Sequence, residues 1–421
     1  GINRIVLNSG NTIASVNGII QIMRVAPEII DSTYMCDAEF LLECLNYKGY
    51  FDPVTNILNM ENEKTELAYS AKSIKEDKEL KIGFLRASNP QRAGQKNAFV
   101  TPMTDNIYSQ IKGKFNDCNI EVADRDVSGS GAMLGAFRIS EDMKDMDLIF
   151  IDVAQNDLGC SEEEIKKYVE GMVRSVKNST DSDIVFLYSL SDGVEKIYDE
   201  AKIPEIFKIY DKVASYYDVP VLNIGKILYD KCVSEGKTFA NYSDYSGNPN
   251  TFGMQIYADA VVSFIDEGIK NAPDFKKTSM PRSMAETEVN GKMDMVINGD
   301  WDENWSITKK KFPGTSLAEY IESHSPGAEL TYKFTGKTIG LYVQSAPDCG
   351  DILWTVDGGE YKSCSLYDEY SYSFEHAKAL MLTDELEDGE HTLTIKVDKN
   401  KNENSIGNYI RIGAFLIDRR N

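Results

Sequence analysis

The chain has 421 residues, enough for two to four domains that each bury a core. Lys+Arg number 45 against 67 Asp+Glu, a net charge of −22, which argues against nucleic acid or an anionic membrane surface as partner. No run of about 18 apolar residues occurs, so no membrane insertion is expected.

Residues 1–75 read as a small α+β module, with strands expected at 4–8 and 19–25, a helix over 38–45, and strands at 49–52 and 57–60. The stretch 64–80 is charged and weakly periodic, and reads as a linker or connecting helix. The region 76–275 alternates strand and helix. KIGFL at 81–85, DLIFIDVA at 147–154, DIVFLYSL at 183–190 and VPVLNI at 219–224 are near-continuous apolar runs, as in parallel strands buried on both faces. Ser161 with Glu164 forms a capping box ahead of an apolar stripe from Ile165 to Val176. Pro204 opens another helix, and a last one is expected over 252–269. The alternation predicts a flavodoxin-like three-layer α/β/α domain, whose ligands sit at the carboxyl ends of the strands.

A Pro-containing linker over 271–286 leads to 285–421, where the period becomes two. ELTYKF, TIGLYVQS, DILWTVD, HTLTIKVD and YIRIGAFLID, separated by turn signals, predict an antiparallel β-sandwich. Trp301, Trp305 and Trp354, with Tyr361, Tyr367, Tyr370 and Tyr372, read either as core or as a surface on which sugar rings stack.

The seven cysteines show no CxxC spacing and read as buried thiols with at most one disulfide, Cys36–Cys44 or Cys349–Cys364. His and Cys never cluster at ligand spacing, so no metal is expected, and no cofactor. The start at Gly1, without Met or a signal-like segment, reads as a trimmed end from which an export signal was removed.

Three polar turns follow the apolar runs. Ser88 ends the first, where it either caps a helix or stands above the sheet as a nucleophile. VSGSGAMLGAFR supplies Gly129, Gly131 and Gly135, read as a loop whose backbone N–H groups approach a ligand closely. No acidic residue follows at the distance a dinucleotide site requires. AQND sets Asn156 at a strand's end, able to donate to an oxyanion. The three histidines, His324, His376 and His391, all lie in the last hundred residues, and a serine hydroxyl is a poor nucleophile without a neighbouring base.

These turns, in this order, resemble the SGNH/GDSL hydrolases over about residues 80–270, especially the branch of carbohydrate O-acyl esterases. The resemblance implies Ser88 as nucleophile, Gly129 and Asn156 as oxyanion donors, and an acylated polysaccharide or oligosaccharide as partner. Its first block departs from the family, reading Arg86-Ala87-Ser88. In its last block Pro249, Asn250 and Gly253 keep the family frame, which sets Tyr245 at the acid position and Asn248 at the histidine position. An amide accepts no proton near neutral pH, and losing one triad member costs about 10⁴–10⁶ in rate. The sequence therefore implies an impaired esterase that binds acylated glycan, unless Asp244, Asp157, or a histidine from the sandwich serves as base. A structural spacer is the third reading. The C-terminal region resembles the jelly-roll domains that accompany carbohydrate esterases. The first 75 residues resemble the copper-amine-oxidase-like modules of bacterial surface proteins, without a copper ligand set. An extracellular or cell-surface location follows from both resemblances.

Overall fold

The computed structural model describes residues 5–16, 19–23, 25–30, 33–36, 40, 47–52, 57–62, 66–86, 103–125, 131–157, 160–244, 247–284, 289–312 and 317–418. Near the amino end, β1 (Ile5–Val6), β2 (Ile13–Val16) and β3 (Ile19–Ile22) form an antiparallel sheet. Two hairpins follow, β4 (Glu28–Ile30) with β5 (Thr33–Met35), and β6 (Tyr47–Asp52) with β7 (Ile57–Asn62). The helix expected over 38–45 lies almost wholly outside the described residues.

The connector expected at 64–80 is α1 (Ala68–Lys72), running into a π-helical turn over Ser73–Asp77. It is fastened to the amino ends of the neighbouring strands. Asp183 accepts from Ser70 N at 2.8 Å and Ser70 Oγ at 2.7 Å, and Asp147 accepts from Ser73 Oγ at 2.9 Å and Lys81 N at 2.7 Å.

The apolar runs, with β9 (Asn119–Asp124) added at one edge, form one parallel sheet of β8 (Glu79–Arg86), β9, β10 (Leu148–Asp152), β11 (Asp183–Leu187) and β12 (Val221–Leu222). Its order is β12-β11-β10-β8-β9. Numbered along the chain this is 2-1-3-4-5, the doubly wound order, with its switch point between β8 and β10. The helices are α2 (Met103–Lys114), α3 (Ala132–Asp142), α4 (Glu162–Ser179), α5 (Asp192–Asp199), α6 (Glu205–Tyr217), α7 (Ile224–Ser234) and α8 (Thr251–Lys270). The crossovers pack α3 on α4 and α4 on α6, and α2 on α8, as the two helix layers of such a sheet. The Ser161–Glu164 capping box and the Pro204 start form as expected. The strand expected over 219–224 shrinks to two residues, because Asn223 Oδ1 turns to accept from Lys226 N at 2.8 Å. That cap opens α7, a helix the apolar pattern does not reveal.

The last third holds β13 (Gly291–Met295), β14 (Asp300–Trp301), β15 (Ser306–Thr308), β16 (Tyr320–Ser323), β17 (Glu329–Gly336) and β18 (Ile339–Ser345). It continues with β19 (Asp351–Val356), β20 (Lys362–Ser365), β21 (His376–Thr383), β22 (Gly389–Val397) and β23 (Ile410–Asp418). One antiparallel sheet runs β15-β16-β23-β18-β21, with β13 also on β23, and the other runs β14-β17-β22-β19-β20. Their facing side chains share one core, in which Tyr332 of β17 stacks on Phe415 of β23 at 3.7 Å. A second face meets the α/β layer, where Phe312, Tyr342 and Ala414 join the core of the parallel sheet. Lys167 of α4 pairs with Asp384 across that boundary at 2.6 Å.

The Cys349–Cys364 disulfide does not form, and both are free thiols. The strand register explains why. Cys364 lies opposite Ile352, three residues past Cys349, and three residues of strand span about 10 Å. Cys44 of the other expected pair lies outside the described residues.

Candidate active site

At the switch point the strands end on polar residues. Arg86 closes β8, Asp152 closes β10 directly beside it in register, and Asp124 closes β9. Arg86 Nη1 stands 3.5 Å from Asp124 Oδ2, and Ser189, just past β11, donates its hydroxyl to Asp152 Oδ2 at 2.5 Å. Arg86 and Asp152 are both buried. Burial pushes the Asp152 carboxyl up, while Arg86 and the Ser189 hydroxyl pull it back. Above this row opens a cavity of about 80 Å³, lined by Arg86, Gln155, Ser189, Asn248, Pro249 and Tyr257 among others. That volume admits several water-sized groups. Tyr257, from α8, accepts from Leu190 N at 2.8 Å and so fixes the chain behind Ser189.

The loop before α8 carries Asn248 to the cavity wall. Asp244 N donates to Asn248 O at 2.7 Å, and Asp244 Oδ1 accepts from Asn248 N at 3.1 Å, so Asp244 closes the turn that presents Asn248. Asn250 then caps α8, accepting from Phe252 N at 3.0 Å and Gly253 N at 3.2 Å. A Cβ on Gly253 would lie 2.6 Å from Tyr242 O, too close for any other residue. Helix geometry thus accounts for Asn250 and Gly253 of the Pro249-Asn250-x-x-Gly253 frame, while Asn248 and Pro249 line the cavity. Tyr245 lies outside the described residues.

The turn after β10 is a 3₁₀ segment, Ala154–Asp157, with Asn156 exposed at its crest. Asp157 is buried beneath it. Its Oδ1 accepts from Ala132 N at 2.8 Å and its Oδ2 from Tyr210 Oη at 2.5 Å. Burial pushes this carboxyl up to about 6, against both bonds. Asp157 therefore ties the start of α3 to the turn bearing Asn156, and both of its oxygens are engaged in doing so.

Ser88 and Gly129 lie outside the described residues. Gly131 is the N-cap of α3, but Gly135, expected in the ligand loop, lies inside that helix. A Cβ there would meet Met172 Sδ of α4 at 2.5 Å, so the residue serves the contact between the two helices.

The histidines stay with the antiparallel sheets. The His324 ring lies tilted against Tyr409 at 4.9 Å, His376 Nε2 meets Asp368 Oδ2 at 3.0 Å, and His391 Nδ1 meets Asp357 Oδ2 at 2.7 Å. None of the described residues lining the cavity is a histidine. Trp305 and Trp354 are 5% and 7% exposed, and Trp301 packs against the same core. The tryptophans therefore do not form the stacking surface considered for them, because the two sheets need their area for the core. Asp152, Ser189 and Tyr257 escaped the sequence reading. An aspartate ending an otherwise apolar run was the available signal, since a buried carboxylate needs a partner.

No family model matches the chain, and no curated protein does. Two solved structures of CEX, a two-domain esterase active on acetylated mannans, match its fold. The one co-crystallised with mannopentaose is 14% identical, with a TM-score of 0.69 over 85% of this chain and 96% of that one. The other is 14% identical, with a TM-score of 0.67 over 84% and 96%. This chain shares the fold of that two-domain esterase. Its parallel half is the doubly wound α/β domain expected from the sequence, joined here to the paired antiparallel sheets.

Proposed function

We propose that the protein is an impaired relative of carbohydrate O-acyl esterases, which binds an acylated glycan at the switch-point cavity and turns it over poorly. The observation that carries this reading is Asn248 on the cavity wall, at the position where the resemblance calls for a histidine base. A carboxamide can hold a hydroxyl by hydrogen bonding but cannot take its proton. The carboxylate lining the cavity, Asp152, is held by Ser189 and neighbours Arg86, and Asp157 and Asp244 have structural partners. The acyl oxygen would be received by the Asn156 amide and the Gly129 N–H, which need no base to bind. A polymeric ligand is met outside the cell, which fits a secreted or surface-attached protein. The N-terminal hairpins, resembling copper-amine-oxidase-like modules of surface proteins, suit the same setting.

Hydrolysis of p-nitrophenyl acetate tests this reading. The unaltered chain is expected to give no more product than Ser88→Ala, and Asn248→His to raise the rate by about 10² or more. Turnover by the unaltered chain that Ser88→Ala abolishes would instead mean an active esterase with an unusual base.

A further inference from the structure

The segment 366–375 crosses from β20, at the edge of one antiparallel sheet, to β21, at the edge of the other. It exposes three aromatic residues at alternate positions, Tyr370 at 55%, Tyr372 at 79% and Phe374 at 50%. An aromatic cluster left in water on a chain this rich in charge marks a contact surface. The cluster is also rigidly mounted. Asp368 Oδ1 accepts from Tyr370 N and Ser371 N, both at 3.1 Å, and Ser371, fully buried, donates its hydroxyl to the same oxygen at 3.0 Å. Asp368 Oδ2 takes His376 Nε2 and Lys378 Nζ, each at 3.0 Å. Phe374 lies 6.2 Å from Tyr370 and 5.3 Å from the His376 ring, so these three rings form one patch, with Tyr372 standing exposed on the same loop.

We infer that this loop is a second glycan-binding site, distinct from the cavity, which takes the pyranose faces of an uncharged polysaccharide backbone whether or not it is acylated. The inference rests on the proposal that the protein binds glycan, and adds where the backbone is held.

Three features select this occupant. The flat apolar face of a sugar ring matches an aromatic ring in size, and the phenolic hydroxyls serve as polar handles at the rim. The flanking Glu369 is an exposed acceptor suited to hydroxyl groups, Glu375 already accepts from Gln344 Nε2 at 2.9 Å, and the nearby cation, Lys378, is engaged by Asp368. An acidic glycan would meet a chain of net charge −22 with no cation offered to it at this loop, so a neutral one fits better. The exposed rings amount to aromatic surface on the order of 400 Å², well below the ~800 Å² per partner of a stable protein interface. Because the loop is already ordered by Asp368, little conformational freedom is lost on binding.

Native gels of the full chain, cast with soluble deacetylated mannan, deacetylated xylan or an unsubstituted glucan, test the site. Retardation by at least one polymer is expected, with Tyr372→Ala or Phe374→Ala weakening the apparent affinity about tenfold and the triple substitution at 370, 372 and 374 abolishing it. The substituted side chains are exposed, and an unchanged melting curve checks that the fold persists. Asn248→Ala and Asn156→Ala should leave retardation by deacetylated polymer unchanged and reduce only the additional retardation given by the acetylated form. The inference is overturned if no deacetylated polymer retards the chain, or if the triple variant is retarded like the parent. Loss of the acetyl-dependent part alone concerns the cavity, so the two readings fail separately.

Discussion

The two ends of the parallel sheet both carry aspartates, and they use them differently. At the amino end, Asp147 and Asp183 take the backbone N–H groups of Lys81 and Ser70 and the hydroxyls of Ser73 and Ser70, which pins α1 to the strands. At the carboxyl end, Asp152 and Asp124 are partnered by other side chains, Ser189 and Arg86, beside a cavity that also receives Asn248. Burial raises the carboxyls of Asp183 and Asp152 alike, so a raised carboxyl alone does not mark a site. What separates the ends is where the partners stand, on the segment that joins α1 to the strands in one case and on the cavity wall in the other. Asp157 stands near the carboxyl end, yet by its partners, Ala132 N and Tyr210, it belongs with the structural group.

Removing Asp157 is the hardest test of that division. Asp157→Ala leaves a phenol and an amide without an acceptor in the buried interior, and a loss of about 3 kcal/mol in urea denaturation is expected. A loss below about 1 kcal/mol would mean the carboxylate is not structural, and its role as a substitute base would regain ground. Asp183→Ala strips two N–H groups and a hydroxyl of their acceptor, but in a half-buried place where water can enter. About 2 kcal/mol is expected there, with ligand binding at the cavity unchanged. Altered binding would break the contrast between the ends.

Strand positions were legible because parallel strands buried on both faces read as continuous apolar runs, and β8, β10 and β11 begin within two residues of those runs. α7 was hidden because the run over 219–224 spends its end on a cap at Asn223, which no apolar period records. The start of α8 was legible through the spacing of Pro249, Asn250 and Gly253, which helix geometry fixes. The row of Arg86, Asp124, Asp152 and Ser189 was not, since its members come from four separate strand ends and meet only when the sheet forms. The tryptophans stayed open between core and surface for a related reason, as alternation in a strand tells which residues share a face but not which face is covered.

The pH dependence of stability sharpens the same comparison. Burial raises Asp157 and Asp183 to about 6 in the folded chain, above the ordinary 3.8 of an unfolded aspartate. The folded state therefore holds more protons between those values, and this contribution to stability is full below pH 3.8 and lost as pH rises through 6. Asp368 and Asp348 act oppositely. Although burial works against it, bonds from His376 and Lys378 hold Asp368 well below its usual range, and Arg411 lowers Asp348. Their contribution is present above pH 3.8 and lost only in stronger acid. Stability measured by thermal denaturation should thus fall by about 1–2 kcal/mol from pH 5.5 to pH 7.5. A rise over that interval would mean that burial does not raise these two aspartates.

The smallest expected effect concerns two asparagines in one loop. Asn250→Ala removes the cap on α8 and should cost about 1 kcal/mol, with acylated-glycan binding retained. Asn248→Ala removes a cavity-lining amide whose backbone, not its side chain, closes the turn with Asp244, so the melting curve should barely move while binding of the acetylated polymer weakens. Both effects are read on one pair of proteins by urea denaturation and by gels cast with acetylated mannan. If the asparagines exchange behaviours, with Asn248 governing stability and Asn250 governing binding, the family frame has been read one turn out of register and the cavity wall must be assigned anew.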